Sequence, residues 1–333
     1  SSMLGWTRGS ATNERSRSHM QVTAEEAVAT LPQETTTKAL SLREMVWRRF
    51  RRHKMAMAGS IMLVLLVLYA FGGALIYSEE YANYTDTSIR LQPPSREHPF
   101  GTDTVGRDIL ARTIYGGQIS LLIGLSAAAI EVIAGVLIGA LAGYYGGFLD
   151  GILMRFTEAM FTIPQLFLLL VMAKFFSNKI PDVEVLGRTF SGSVIVIVGI
   201  IGMTSWMYLA RIVRADFLSL KEREFIVAAN TIGTRNRAII FRHILPNTMA
   251  PIIVAATLGV ANAILAEAYI SFLGLGVRPP TATWGNMLEG AYNYIESAPW
   301  LWIFPGLLIL LTVLSINFLG DGLRDALDPT TVT

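Results

Sequence analysis

The sequence predicts an all-α membrane protein with six transmembrane helices, and three observations carry that prediction. Of 333 residues, 52% are hydrophobic and 16% charged, with mean hydropathy +0.48; a soluble domain carries about 25% charge. The apolar residues are gathered into blocks that mostly approach or exceed the ~20 residues a helix needs to cross ~30 Å of hydrocarbon. Basic residues cluster at alternate block ends, the pattern that fixes membrane orientation.

The expected spans are Met55–Ile76, Ser120–Tyr144, Met160–Phe176, Ser193–Val213, Thr248–Gly274 and Leu301–Leu319. The third is short and contains Pro164, which leaves its ends open. Ahead of the first, residues 1–45 are rich in Ser, Thr, Glu and Arg without apolar period and read as a flexible tail. Residues 46–115 hold the first span and the outer segment that follows, and residues 116–328 the other five spans with a polar loop at 219–247. Arg48, Arg49, Arg51, Arg52 and Lys54 directly precede the first span, which puts that end in the cytoplasm. Six crossings return the C-terminus to the same side. The loop after the fourth span then also lies inside, and its Arg211, Arg214, Lys221, Arg223, Arg235, Arg237 and Arg242 outnumber Asp216, Glu222 and Glu224.

Several chemistries are excluded. A net charge of +2 suggests neither nucleic acid nor a broadly anionic partner. With no cysteine there is no disulfide, iron–sulfur cluster or cysteine-based zinc site. No lysine follows a glycine, so the usual phosphate-cradling loop is missing. His19, His53, His98 and His243 are scattered without metal-ligand spacing. Tyr115-Gly116-Gly117-Gln118 looks like part of an ATPase signature but stands at a span entrance without an ATPase domain around it. Nothing supports an enzyme active site.

Inside the spans, Gly135, Gly139 and Gly143 line one helix face and predict a close helix neighbour. Glu131, on the same span, is costly in hydrocarbon and must face protein or water; it lines a polar path or serves as a structural hydrogen-bonding group. Glu267 lies in the outer half of the fifth span before a Gly-rich turn, where a structural role is favoured over a pathway role. Asn262, Gln165 and Asn317 are further polar candidates.

The polar interruption Lys221–Asn247 reads as two short helices, about Leu218–Asn230 and Arg235–Leu245. Gly233 supplies the left-handed residue that ends the first, Thr234 caps the second, and Pro246 resists its continuation. Ala228-Ala229 offers a small surface that a partner's backbone or ring can approach. An amphipathic helix lying on the bilayer explains the same residues.

Phe225–Pro246 resembles the coupling loop of ABC importer permeases, with Ala228, Ala229, Gly233, His243, Leu245 and Pro246 at the family's positions and Val227 where the family's naming Glu would stand. Glu224 offers a nearby charge. His98-Pro99-Phe100-Gly101-Thr102-Asp103 with Gly106-Arg107-Asp108, Glu267–Gly276, Pro279-Pro280 and Trp284–Leu288 narrow the resemblance to the C-type subunits of dipeptide and oligopeptide permeases, over roughly residues 40–328. Nickel permeases of the same family are similar. The resemblance implies a type I ABC importer permease fold with a cytoplasmic coupling helix, in a bacterial inner membrane. It implies a B-type permease partner, two cytoplasmic ATPase subunits and an extracytoplasmic substrate-binding protein. The chain itself would hold no cofactor; ATP and magnesium would be bound by the ATPase subunits. Glu224, Ala228, Ala229, Gly233, His243 and Pro246 would then form the ATPase-coupling surface, and Glu131, Asn262 and Glu267 the translocation path. A secondary transporter using Glu131 as a proton site is the rival reading, and a membrane scaffold without a substrate path is another.

Overall fold

The computed structural model describes residues 41–176, 179–185 and 188–328, so most of the tail expected at residues 1–45 lies outside the described residues. From Met45 onward the described chain forms one compact unit. It is helical almost throughout, in the order α1 (Leu42–Arg52), α2 (Lys54–Gly73), α3 (Glu79–Asn83), α4 (Ile109–Tyr145), α5 (Gly147–Thr162), α6 (Gln165–Phe176), α7 (Gly192–Ser205), α8 (Met207–Lys221), α9 (Glu224–Thr231), α10 (Asn236–Ala238), α11 (Met249–Phe272) and α12 (Trp300–Leu327). A short antiparallel pair, β1 (Val183–Val185) with β2 (Arg188–Phe190), links α6 to α7.

Among the described residues, four helical stretches are long and apolar enough to cross a membrane unbroken: Lys54–Gly73, Ile109–Tyr145, Asn236–Phe272 and Trp300–Leu327. Two helix pairs pass the same test together, α5 with α6 bent by 88° and α7 with α8 bent by 41°, which makes up to six spans if each pair is one. The third span is therefore not the straight Met160–Phe176 expected from hydropathy. Pro164 cannot donate to the preceding turn, α5 stops at Thr162, and α6 leaves in another direction. The fourth span turns at Trp206, whose indole donates to the Met203 carbonyl at 3.0 Å. The boundary expected between residues 115 and 116 falls inside α4, one continuous helix.

At 37 residues α4 is about 55 Å long and forms the axis of the bundle. It touches α2, α5, α7, α8 and α11. The Gly135-Gly139-Gly143 face meets α8: a Cβ at these positions would stand 2.9 Å from Leu209 Cβ, 2.5 Å from the Ala210 carbonyl and 2.6 Å from Phe217 Cβ. That closeness makes the stripe a packing face. On α2, Ile61, Leu65, Leu68 and Phe71 stay exposed, as side chains facing lipid do.

The stretch His98–Asp108 is a set of tight turns over the start of α4. Gly101 and Gly106 have φ of +76° and +82°. Asp108 Oδ1 accepts from the Ala111 amide at 2.8 Å, capping α4, while its other oxygen meets His98 Nδ1 at 2.8 Å. Tyr115-Gly116-Gly117-Gln118 is plain packing: a Cβ on Gly117 would stand 2.7 Å from the Trp284 ring, and Gln118 donates to the Ala70 carbonyl at 2.7 Å.

Candidate functional site

The polar loop is folded against the bundle by one apolar cluster. Ile226 of α9, Phe217 of α8, and Ile239 and Ile244 beyond α10 are fully buried there, with Tyr144 of α4 and Ile252 of α11. Burying each such side chain is worth about 1.5–3 kcal/mol, which decides how the loop sits. Tyr144 links α4 to both flanks: its carbonyl accepts from Lys221 Nζ at 2.7 Å, and its hydroxyl donates to Asn236 Oδ1 at 3.0 Å. Arg214 of α8 forms a bidentate pair with Asp150 of α5, the Nη2–Oδ2 arm being 2.6 Å.

The helices of this loop differ from those the sequence suggested. The predicted Leu218–Asn230 is broken at Glu222 and Arg223, so α8 ends at Lys221 and α9 begins at Glu224. Glu224 stands in the first turn of α9, where a carboxylate complements the exposed amides. Gly233 has φ +79°, and the Gly233 and Thr234 amides donate to the Asn230 and Ala229 carbonyls at 3.0 and 3.1 Å. That left-handed cap is the predicted one. Thr234 caps nothing: Arg235 holds the N-cap position of α10, without a side-chain bond. Pro246 does not stop the chain either. Residues Ile239–Ile244 are a π-helix and Leu245–Thr248 a 3₁₀ turn, with Pro246 in its first positions, where a missing N–H costs nothing. The stretch then runs directly into α11.

Ala228 and Ala229 part company. Ile226 belongs to the cluster, and Ala229, three residues on, is also buried, at 7% exposure. Ala228 is exposed, beside Phe225, Val227 and Ile232, whose exposures are 46%, 52% and 83%. The outward surface of α9 is thus Phe225, Val227, Ala228 and Ile232, and Ala229 is part of its support. Glu224 and Pro246 are exposed and His243 half-buried. A Cβ on Gly233 meets nothing within 4 Å, so its role is conformational.

A cavity of about 580 Å³ opens where the two bent spans meet α4 and α11. Glu131 and Asn262 line it together with Gln165, Thr204, Ser205 and Tyr269. Both helix breaks border it: Phe161 and Gln165 flank one, Ser205 and Met207 the other. Non-helical backbone at membrane depth is tolerated where it lines a cavity. Thr204, Ser205, Tyr208 and Tyr269 had no signal in the sequence, because small hydroxyls and tyrosines are ordinary in spans and only the bends bring them to one space.

Glu267 does not line this cavity. It is 1% exposed, and its Oε1 accepts from Ser271 Oγ at 2.6 Å and Thr283 Oγ1 at 2.7 Å, with Ser120 Oγ 3.5 Å from Oε2. Each hydroxyl also accepts a backbone amide: Val277, Asn286 and Trp284 donate at 3.3, 2.9 and 3.1 Å. Trp284, fully buried, donates its indole N–H to the Thr113 carbonyl at 2.8 Å. Glu267 therefore ties the Gly-rich turn to α4 and α11, away from the residues that line the cavity.

Comparison with known proteins agrees with this architecture. Residues 41–94 match the N-terminal TM domain of oligopeptide transport permease C. The chain is 42% identical to a dipeptide transport system permease protein of Alkalihalophilus pseudofirmus, over 90% of this chain and 93% of that one. It is 40% identical to an oligopeptide transport system permease protein of Haemophilus influenzae, over 91% and 94%. A solved methionine ABC transporter in inward-facing conformations shares the fold, with TM-score 0.50 and 19% identity, over 64% of this chain and 95% of that one. Residues 135–333 match the binding-protein-dependent transport system inner membrane component, and the chain belongs to that family of ABC importer permeases.

Proposed function

We propose that this chain is the C-type permease subunit of an ABC importer of short peptides, in a bacterial inner membrane with both termini in the cytoplasm. The observation that carries the reading is α9. It is a short helix held rigidly by Ile226 and Ala229, and it offers Phe225, Val227, Ala228 and Ile232 outward on the side that the arginines assign to the cytoplasm. An apolar surface presented to water is a protein-docking surface, and an ATPase subunit is its occupant. Val227 makes that contact apolar where the family's Glu would make it polar. The names of the relatives support peptides as cargo. A B-type permease, two ATPase subunits that bind ATP and magnesium, and an extracytoplasmic binding protein complete the machine.

The route from ATPase to substrate runs through packed elements. Movement of α9 is passed to α8 through the cluster around Phe217 and Ile226, and α8 is locked to α4 along Gly135, Gly139 and Gly143. Glu131 stands one turn beyond Gly135 on α4, at the cavity that we take as the translocation path. The two bends beside that cavity let the span halves tilt between inward-open and outward-open states. Substrate-loaded binding protein then promotes ATPase closure by the reciprocity of linked equilibria.

The test is ATP-dependent dipeptide uptake by proteoliposomes that hold the chain with its partner subunits and binding protein. Ala228→Arg places a charge on the outward face of α9 while the supporting Ala229 stays in place. We expect substrate-stimulated ATP hydrolysis to fall at least about tenfold, about 1.4 kcal/mol of coupling, with the assembled complex still present in the membrane. Full stimulation in this variant removes α9 as the docking helix. Uptake that persists without ATP and collapses with the proton gradient favours the secondary-transporter reading instead.

A further inference from the structure

Glu131 brings the one carboxyl group among the described residues lining the 580 Å³ cavity; the other polar groups are amides, hydroxyls and two tyrosines. It is 8% exposed, so its carboxylate is nearly withdrawn from its surroundings except through that space. The site around it is built by a glycine. On the facing helix α11, a Cβ at Gly259 would stand 2.8 Å from Glu131 Oε2 and 3.2 Å from its Cδ. Gly259 therefore leaves a notch that the carboxylate fills. One turn further along α11, Asn262 presents its amide to the same cavity. Among the described residues, no arginine or lysine lines the space to neutralise the carboxylate.

From this geometry we infer that the cavity is a seat for a cationic amine, with Glu131 as its counter-ion and Asn262 beside it for the adjoining amide. This rests on the cavity being the path of a peptide importer, and it names the chemistry that the path selects. The two termini of a peptide are an ammonium and a carboxylate at neutral pH. The ionised carboxylate of Glu131 in a low-dielectric cavity attracts the first and repels the second. The ammonium end is thus the end held by this subunit in transit. The apolar lining from Phe161, Leu166 and Leu169 accommodates side chains without discriminating among them. Gly259 has a specific role here, because it fixes where the carboxylate sits rather than merely allowing two helices to touch.

The chain contains no cysteine, so a single introduced thiol reports on the cavity by mass spectrometry of this chain. Asn262→Cys in the assembled transporter is reacted with two methanethiosulfonates of similar size, one bearing trimethylammonium and the other sulfonate. Rates are divided by those for a free thiol in solution. We expect the corrected cation-to-anion ratio to be about tenfold or more, and to fall to about one in the double variant with Glu131→Gln. A ratio that Glu131→Gln leaves unchanged overturns the inference, as does an Asn262→Cys thiol that reacts with neither reagent. Both results are independent of uptake. Failure of the wild-type complex to take up dipeptide with ATP would overturn the peptide-importer reading and would leave the charge preference as measured.

Discussion

Glu267 and Glu131 are both buried carboxylates, at 1% and 8% exposure, on two long helices that pack against each other. Their surroundings are opposite. Glu267 is enclosed by Ser120, Ser271 and Thr283, hydroxyls that also take backbone amides, so every oxygen there has a partner fixed by the fold. Glu131 faces a notch at Gly259 on one side and open space on the other. A carboxylate in a closed hydroxyl cluster fastens the turn after α11 to α4, and its cost is offset by hydrogen bonds. A carboxylate at the edge of a cavity is left for whatever enters. Burial alone does not separate the two; the partners do.

Substitutions around the first group should cost stability, and substitutions around the second should cost selectivity. The largest effect is expected at Trp284, which closes the Glu267 cluster. Trp284→Ala removes a fully buried ring and its bond to Thr113, and should destabilise by about 3–5 kcal/mol, read as a loss of thermal stability in detergent. Survival of the wild-type melting temperature would mean that the turn is not held this way. Glu267→Gln keeps the shape but changes the acceptor facing three hydroxyl donors. About 1–3 kcal/mol is expected, with uptake falling only as far as folded protein is lost. A variant that folds normally but fails to transport would place Glu267 in the path.

Around Glu131 the order reverses. Gly259→Ala pushes a methyl toward Oε2, the far end of a side chain that can move, so stability should change by less than about 1 kcal/mol. The cavity's charge preference should weaken because the carboxylate is displaced. Glu131→Gln should have the smallest effect on melting temperature, within about 0.5 kcal/mol, and should reduce dipeptide uptake about tenfold. If it instead lowers stability as Glu267→Gln does, the distinction between the two carboxylates fails.

The apolar spans and the polar loop that interrupts them were legible because hydrophobic blocks and the glycine cap at Gly233 are local signals. The breaks were less so. Pro164 marked a weakness in the third span, yet its 88° turn depends on which side the neighbouring helices leave free. Trp206 gave no breaker signal at all. At Pro246 the local rule misled: proline opposes an α-helix interior, but the chain here is a 3₁₀ turn whose first positions need no N–H. Ala228 and Ala229 could not be sorted by composition, since helical phase is set by the register of Ile226 in the cluster beneath.

The sequence by itself determined that the chain spans a membrane and which family it resembles, because the hydrocarbon thickness acts on composition. Only the tertiary structure decided that Gly135, Gly139 and Gly143 lock α4 to α8, that Glu267 is sealed and that Glu131 is open to a cavity. Those outcomes depend on which side chains from distant segments converge, and a buried carboxylate acquires its role from the partners that reach it.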